Sequence, residues 1–181
     1  MTSGANRPKQ PVLVRTKILA AGEELLSKGV PLSIGEVAAA AGVTKGAVQH
    51  HFGSREMLLL AIYDDLQSHF EQAMERNRAG KSAAESYVAA TVDSTPDETR
   101  AMQWRALLVA CVMERSLADR WSSWTRANRA SNGKESTSQL IARLAADGLW
   151  LSDTLGTYGL AKAERKKLAK ALVQLAIGES E

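Results

Sequence analysis

A single cysteine, Cys111, stands in a chain of 181 residues. One thiol excludes an internal disulfide and a cysteine-based metal cluster, and a reducing, cytoplasmic setting is expected. Long apolar runs are missing as well. The longest, 106–113, holds eight residues, against the ~20 of a membrane span. The opening residues MTSGANRPKQP lack the apolar stretch of a secretory signal, so neither export nor membrane attachment is expected. Histidine is scarce: only His50, His51 and His69. There is no HExxH zinc pattern, no G-x-S-x-G elbow and no glycine-rich phosphate loop. Cys111 sits within the apolar run and is expected to be buried and inert. No enzyme, metal or cofactor is expected. No segment alternates apolar and polar residues as a half-buried strand would, and no internal repeat or low-complexity tract is found.

What is present is a soluble globular composition, 45% hydrophobic and 24% charged, with an uneven charge distribution. Residues 1–56 carry seven basic side chains against four acidic ones, which leaves sixteen of each for 57–181. The whole net charge of +3 therefore lies in the first third. A surface for a polyanion is expected there.

The chain reads as helix almost throughout. Residues 1–10 are polar and basic (Arg7, Lys9) and read as a flexible arm. A first helix is expected from about 13 to 28, with Val14, Ile18, Ala21 and Leu25 on one face, ended by Gly29 and Pro31. Ser33 and Glu36 have the spacing of a capping box and open a short helix to about Ala41. Gly42 suits its left-handed close. Thr44 caps a third helix, 45–52, and Ser54 a fourth, expected from 55 to about 78. In that fourth helix Leu58, Ile62, Leu66, Phe70 and Met74 recur every fourth residue. Its length would be roughly 36 Å, enough to join two domains. Further helices are expected over 82–93, 97–115, 118–131, 135–155 and 161–178, about nine in all.

The third helix carries the functional signal. On a helical wheel Lys45, Gln49, Gly46 and His50 fall at about 0, 40, 100 and 140°, while His51, Val48 and Phe52 fall at about 240, 300 and 340°. One face can pack against Val37, Ala38 and Ala41. The other offers hydrogen-bond donors beside a glycine. A recognition helix needs this division, since one side must be anchored while the other enters a major groove ~12 Å wide. Gly46 and Ala47 would let the backbone come close, Lys45 suits guanine or phosphate, Gln49 suits adenine, and His50 can donate to either. The starts of the second, third and fourth helices, at Ser33, Thr44 and Ser54, offer N–H groups to phosphates. A short amphipathic helix with a solvated polar face would show the same pattern.

The stretch from Leu32 to Leu58 carries an aliphatic-Ala…Ala-Gly-Val-Thr-Lys-Gly core, a His51-Phe52 pair and Ser54-Arg55-Glu56-Met57-Leu58. It resembles the DNA-binding region of the TetR family of bacterial regulators in order and spacing. The resemblance implies an all-α fold. Residues 11–56 would be a three-helix helix-turn-helix domain, and 57–181 a helical effector-binding and dimerisation domain. It places DNA contacts at Ser33, Thr44, Lys45, Gly46, Ala47, Gln49, His50 and Arg55, the last on a phosphate where the family usually has lysine. Two positions depart from the family. Gln49 stands where many members have tyrosine, and Gly35 has no side chain where some members read a base. The implied function is a ligand-responsive repressor acting as a homodimer on a palindromic double-stranded DNA operator. A helical protein-interaction module without DNA binding is the alternative.

In the second half, Ala146-Asp147-Gly148-Leu149-Trp150-Leu151-Ser152-Asp153 resembles one subgroup of regulatory domains. The resemblance implies a pocket for a small organic effector. Candidate lining residues are Tyr63, Tyr87, Met102, Trp104, Cys111, Trp121, Trp124, Asp147 and Trp150, although core packing gives tryptophans the same spacing. Dimerisation is expected through the eighth and ninth helices, with Leu144, Leu151, Leu155, Leu168, Leu172, Val173 and Leu175 as candidates. The apolar arc of 168–177 is wider than one core contact needs, and a helix buried in a monomer core would show it too.

Overall fold

A computed structural model describes residues 11–92, 98–131 and 133–178, with backbone alone at 98–104 and 107. Its described residues form nine helices: α1 (Pro11–Ser27), α2 (Ile34–Ala41), α3 (Lys45–Phe52), α4 (Arg55–Arg76), α5 (Ala83–Val92), α6 (Glu98–Met113), α7 (Arg115–Ala130), α8 (Thr137–Leu155) and α9 (Lys162–Ile177). The expected arm, with Arg7 and Lys9, lies outside the described residues.

Local chemistry sets the first four boundaries. The hydroxyls of Ser33, Thr44 and Ser54 each accept the N–H three residues on, at Glu36, Ala47 and Met57, all at 3.1 Å. Each such cap is worth about 1 kcal/mol. Only the serine half of the expected capping box at Ser33 is formed. The reciprocal box occurs instead at Ser136–Gln139 and at Ser82–Glu85. Gly42 closes α2 at φ 64°, ψ 36°. That left-handed conformation costs glycine little, and it turns the chain within three residues into α3.

α4 ends at Arg76, two residues before the expected end, where Asn77 leaves the helix and its side-chain amide donates to the Ala73 carbonyl. At 22 residues it is still roughly 33 Å long. Its every-fourth-residue stripe has a consequence for the architecture. Four residues turn a helix by 400°, so the stripe drifts by about 40° per step. Leu58, Leu59, Ile62, Tyr63 and Leu66 consequently face one core, shared with Ile18, Val37, Val48 and Phe52. Phe70 and Met74 face a second core, shared with Tyr87, Val88, Ala142, Ala146, Leu149 and Ala176.

The first core is closed by Ala106 and Ala110 of α6 and Leu117 of α7, and α6 packs along α1. The first three helices (the head) and the second half therefore share apolar contacts rather than a linker. The break between α6 and α7 falls at Glu114 alone, in an extended conformation (φ −126°, ψ 106°). α7 thus starts at Arg115, three residues before the expected 118.

Candidate DNA interface and interior cavity

Val48 is fully buried and Phe52 nearly so, and together they anchor α3 on the first core. Burying side chains of this size contributes about 1.5–3 kcal/mol each. Their opposite face, Lys45, Gly46, Gln49 and His50, is exposed. His51 is half-buried against Phe52 and His50, and Ala47 is half-buried as well. Around Gly46 there is open space: an added Cβ would meet nothing closer than the Thr44 hydroxyl at 3.8 Å. The fold does not require glycine there, whereas a close backbone approach to a ligand would. Gly35 plays a different part. A Cβ on it would stand 3.1 Å from Cε and 3.4 Å from Nζ of Lys45. The missing side chain thus leaves room for the lysine stem to lie across the start of α2. Ser33, Thr44 and Ser54 are all exposed, at helix starts whose remaining N–H groups and dipoles favour anions.

Arg55, expected at a phosphate, is exposed and also bonded within the protein. Its Nε donates to the Leu32 carbonyl and its Nη1 to the Glu114 carboxylate, both at 2.7 Å. A phosphate would have to compete with that carboxylate. The side chain ties the head to the α6–α7 junction, a link across 59 positions that no local pattern announces.

In the second half, Phe70, Tyr87, Thr91, Trp121, Asp147 and Trp150 line a cavity of about 110 Å³. Of the nine expected lining residues, Tyr87, Trp121, Asp147 and Trp150 meet here. Trp124 stacks on Trp121 with centroids 5.2 Å apart and donates Nε1 to Glu71 at 2.6 Å, outside the lining. Tyr63 and Cys111 pack with the first core instead. The side chains of Met102 and Trp104 lie outside the described residues. Phe70 and Thr91 were missed; Phe70 stood in the sequence as one more member of the α4 stripe.

The Tyr87 hydroxyl donates to Asp147 Oδ1 at 2.6 Å. Burial raises the Asp147 carboxyl above its ordinary value, while the Tyr87 hydrogen bond and the Arg143 charge pull it back. Tyr87 is itself raised well above its ordinary value, first by burial and then by Asp147. Arg143 lies over the Tyr87 ring, its Cζ 4.4 Å from the centroid, and is paired with Glu135. Cys111 is half-buried, and burial pushes its thiol up to about 11. Among the described residues no three His, Cys, Asp or Glu side chains gather as a metal site would need, and no helix is long and apolar enough to cross a membrane.

Two family profiles match the chain. Residues 18–62 match that of bacterial regulatory proteins of the tetR family. Residues 81–177, more than half of the chain, match the tetracyclin repressor-like C-terminal domain. The chain belongs to the TetR family of transcriptional regulators. This TetR chain has structural neighbours over nearly its whole length. A putative TetR-family regulator from Rhodococcus sp. superposes with a TM-score of 0.70 at 17% identity, covering 91% of this chain and 99% of that one. A TetR member from Streptomyces coelicolor gives 0.68 at 19%, covering 93% and 98%. NalD of Pseudomonas aeruginosa, a secondary repressor of a multidrug efflux pump, gives 0.61 at 20%, covering 96% and 100%. No curated protein sequence matches significantly.

The TetR chain leaves a broad apolar surface on its last two helices. Ile141, Leu144, Leu151 and Leu155 of α8 are exposed, with Leu168, Leu175 and Ile177 of α9. Leu172 and Val173, expected at a dimer interface, are half-buried against the chain's own second core. The wide arc of α9 is therefore divided between an inner contact and an exposed face.

Proposed function

We propose that this TetR-family regulator is a ligand-responsive repressor that binds a palindromic operator as a homodimer. The observation that carries this reading is α3: a polar face of Lys45, Gln49 and His50 around an uncrowded Gly46, held rigidly by Val48 and Phe52. Lys45 and Gln49 contact base edges or phosphates, Gly46 and Ala47 admit the backbone, His50 donates at the groove wall, and the starts of α2 and α3 at Ser33 and Thr44 hold phosphates. One such helix spans only a few base pairs, so two must be fixed at one DNA turn, about 34–36 Å, or a multiple of it. Pairing of the α8–α9 surfaces about a two-fold axis sets that distance. It also buries leucines that would otherwise form an exposed apolar patch.

The effector reading rests on Trp121. This ring lines the cavity and touches both cores, meeting Tyr63 edge-on at 6.4 Å. A guest in the cavity displaces Trp121 against Tyr63 and α6, and the shift reaches the head through α1 and the Arg55–Glu114 bond. The ligand changes operator affinity by binding one head spacing better than the other. The setting proposed is cytoplasmic, with the operator as the macromolecular partner.

The test is selection of duplex sequences by the purified protein, followed by affinity against salt. With six to ten phosphate contacts, affinity falls about 10³–10⁵-fold between 50 and 200 mM salt. Lys45→Ala and Gln49→Ala should abolish preference for the selected sequence. A flat salt profile, or unaltered operator affinity in both variants, refutes the reading.

A further inference from the structure

The cavity beside the second core combines aromatic rings with a carboxylate. Four of its six described lining residues are aromatic: Phe70, Tyr87, Trp121 and Trp150. The rings of Phe70 and Tyr87 meet edge to face at 5.4 Å, and Phe70 and Trp121 lie 6.3 Å apart. Among these rings stands one carboxylate of the described residues, Asp147. Its Oδ1 accepts from Tyr87, and among the described residues no donor serves Oδ2. The charge of Arg143 acts on it but offsets its burial only in part. That guanidinium is bonded to Glu135 and, at 3.0 Å, to Asn128 Oδ1, and Glu135 is almost as buried as Arg143 itself. Glu135 also pairs with Arg129, so Asp147 is left in no ion pair of its own among the described residues, set among aromatic rings.

We infer that the cavity takes a compact organic cation of the methylated-ammonium class, seated among Phe70, Trp121 and Trp150 against the carboxylate of Asp147. Ring quadrupoles attract such a cation, and the carboxylate supplies the opposite charge in a site where water screens little. Size agrees with chemistry. A 150 Å³ cavity accepts benzene, so about 110 Å³ suits a head group of five to seven heavy atoms. A longer ligand would place only its ammonium end here. The inference names the ligand class for the effector role proposed above and rests on that reading for its regulatory meaning, but binding itself does not involve DNA.

The experiment uses the full-length protein without DNA. Choline and its neutral carbon isostere, 3,3-dimethylbutan-1-ol, are each titrated by calorimetry and by tryptophan fluorescence. Choline is expected to bind at least about tenfold more tightly than the isostere, with a change in fluorescence from the cavity tryptophans. Asp147→Asn, once its melting curve shows it folded, should bring choline down to the level of the isostere and leave the isostere unchanged. Equal binding of the two compounds, or binding of neither, overturns the inference on the unmutated protein alone. Retained choline preference in Asp147→Asn overturns the assignment to Asp147. Choline that binds without altering operator affinity leaves this inference standing and counts against the ligand switch instead.

Discussion

Replacing Glu135 by glutamine removes the charge that compensates a guanidinium in the protein interior. Arg143 and Glu135 have side chains only 3% and 8% exposed. Arg143 is held by Glu135 through Nε, by Asn128 through Nη2 and by the Tyr87 ring beneath its Cζ, while Nη1 has no partner among the described residues. Glu135→Gln strands that cation, and breaking a buried pair from one side costs about 3–5 kcal/mol. At about 2–4 °C per kcal/mol for a chain of this size, the midpoint should fall by roughly 10 °C. The same carboxylate also pairs with Arg129 at 2.8 Å, but the Arg129 side chain is 43% exposed. Water screens that pair, so Arg129→Ala should cost no more than about 1 kcal/mol. The double variant Glu135→Leu, Arg143→Met takes both charges away and should recover most of the loss, because apolar replacements of similar volume are often neutral. Calorimetric melting at one fixed protein concentration is the assay, since the midpoint of a chain that self-associates depends on concentration. A midpoint for Glu135→Gln within about 2 °C of the parent, or an Arg129→Ala loss as large, would refute the reasoning.

Three further outcomes are expected. Gly46→Ala should fold as well as the parent or slightly better, by up to about 1 kcal/mol from helix propensity, yet lose operator affinity about tenfold or more as its methyl meets the groove; parent-like binding in a gel-shift titration would count against close backbone approach. Leu144→Glu with Leu175→Glu should give monomers by light scattering while the helical circular dichroism remains, and an unchanged dimer would place the interface elsewhere. Asp147 has a pH signature. Its folded-state value is raised, so the folded chain holds this proton more tightly than the unfolded one. The stability it contributes is complete below the ordinary carboxylate value and is lost as pH climbs through the folded-state value. Melting of the parent and Asp147→Asn across pH should show the parent losing ground above pH ~4; a parent that gains instead would contradict the sign.

The head was the most legible part of this protein, and its legibility has a local cause. Ser33, Gly42, Thr44 and Ser54 act on backbone groups within a few residues of themselves, so the short helices and tight turn between them follow from order alone. The α3 wheel separates Val48 and Phe52 from Lys45 and Gln49 for the same reason, since a face is a property of one helix. Periodicity also showed that α8 and α9 have more apolar surface than one contact consumes. Tertiary structure decided the rest. It turned Leu172 and Val173 inward and left Leu144 and Leu175 outside. It brought Phe70, Tyr87, Trp121, Asp147 and Trp150 from four helices around one cavity and sent Trp124 to Glu71. It gave Arg55 to Glu114 and broke the chain between α6 and α7 without a glycine or proline. A helical repeat tells which side chains share a face, but the face each meets across a crossing depends on the angles and depths at which several helices pack together.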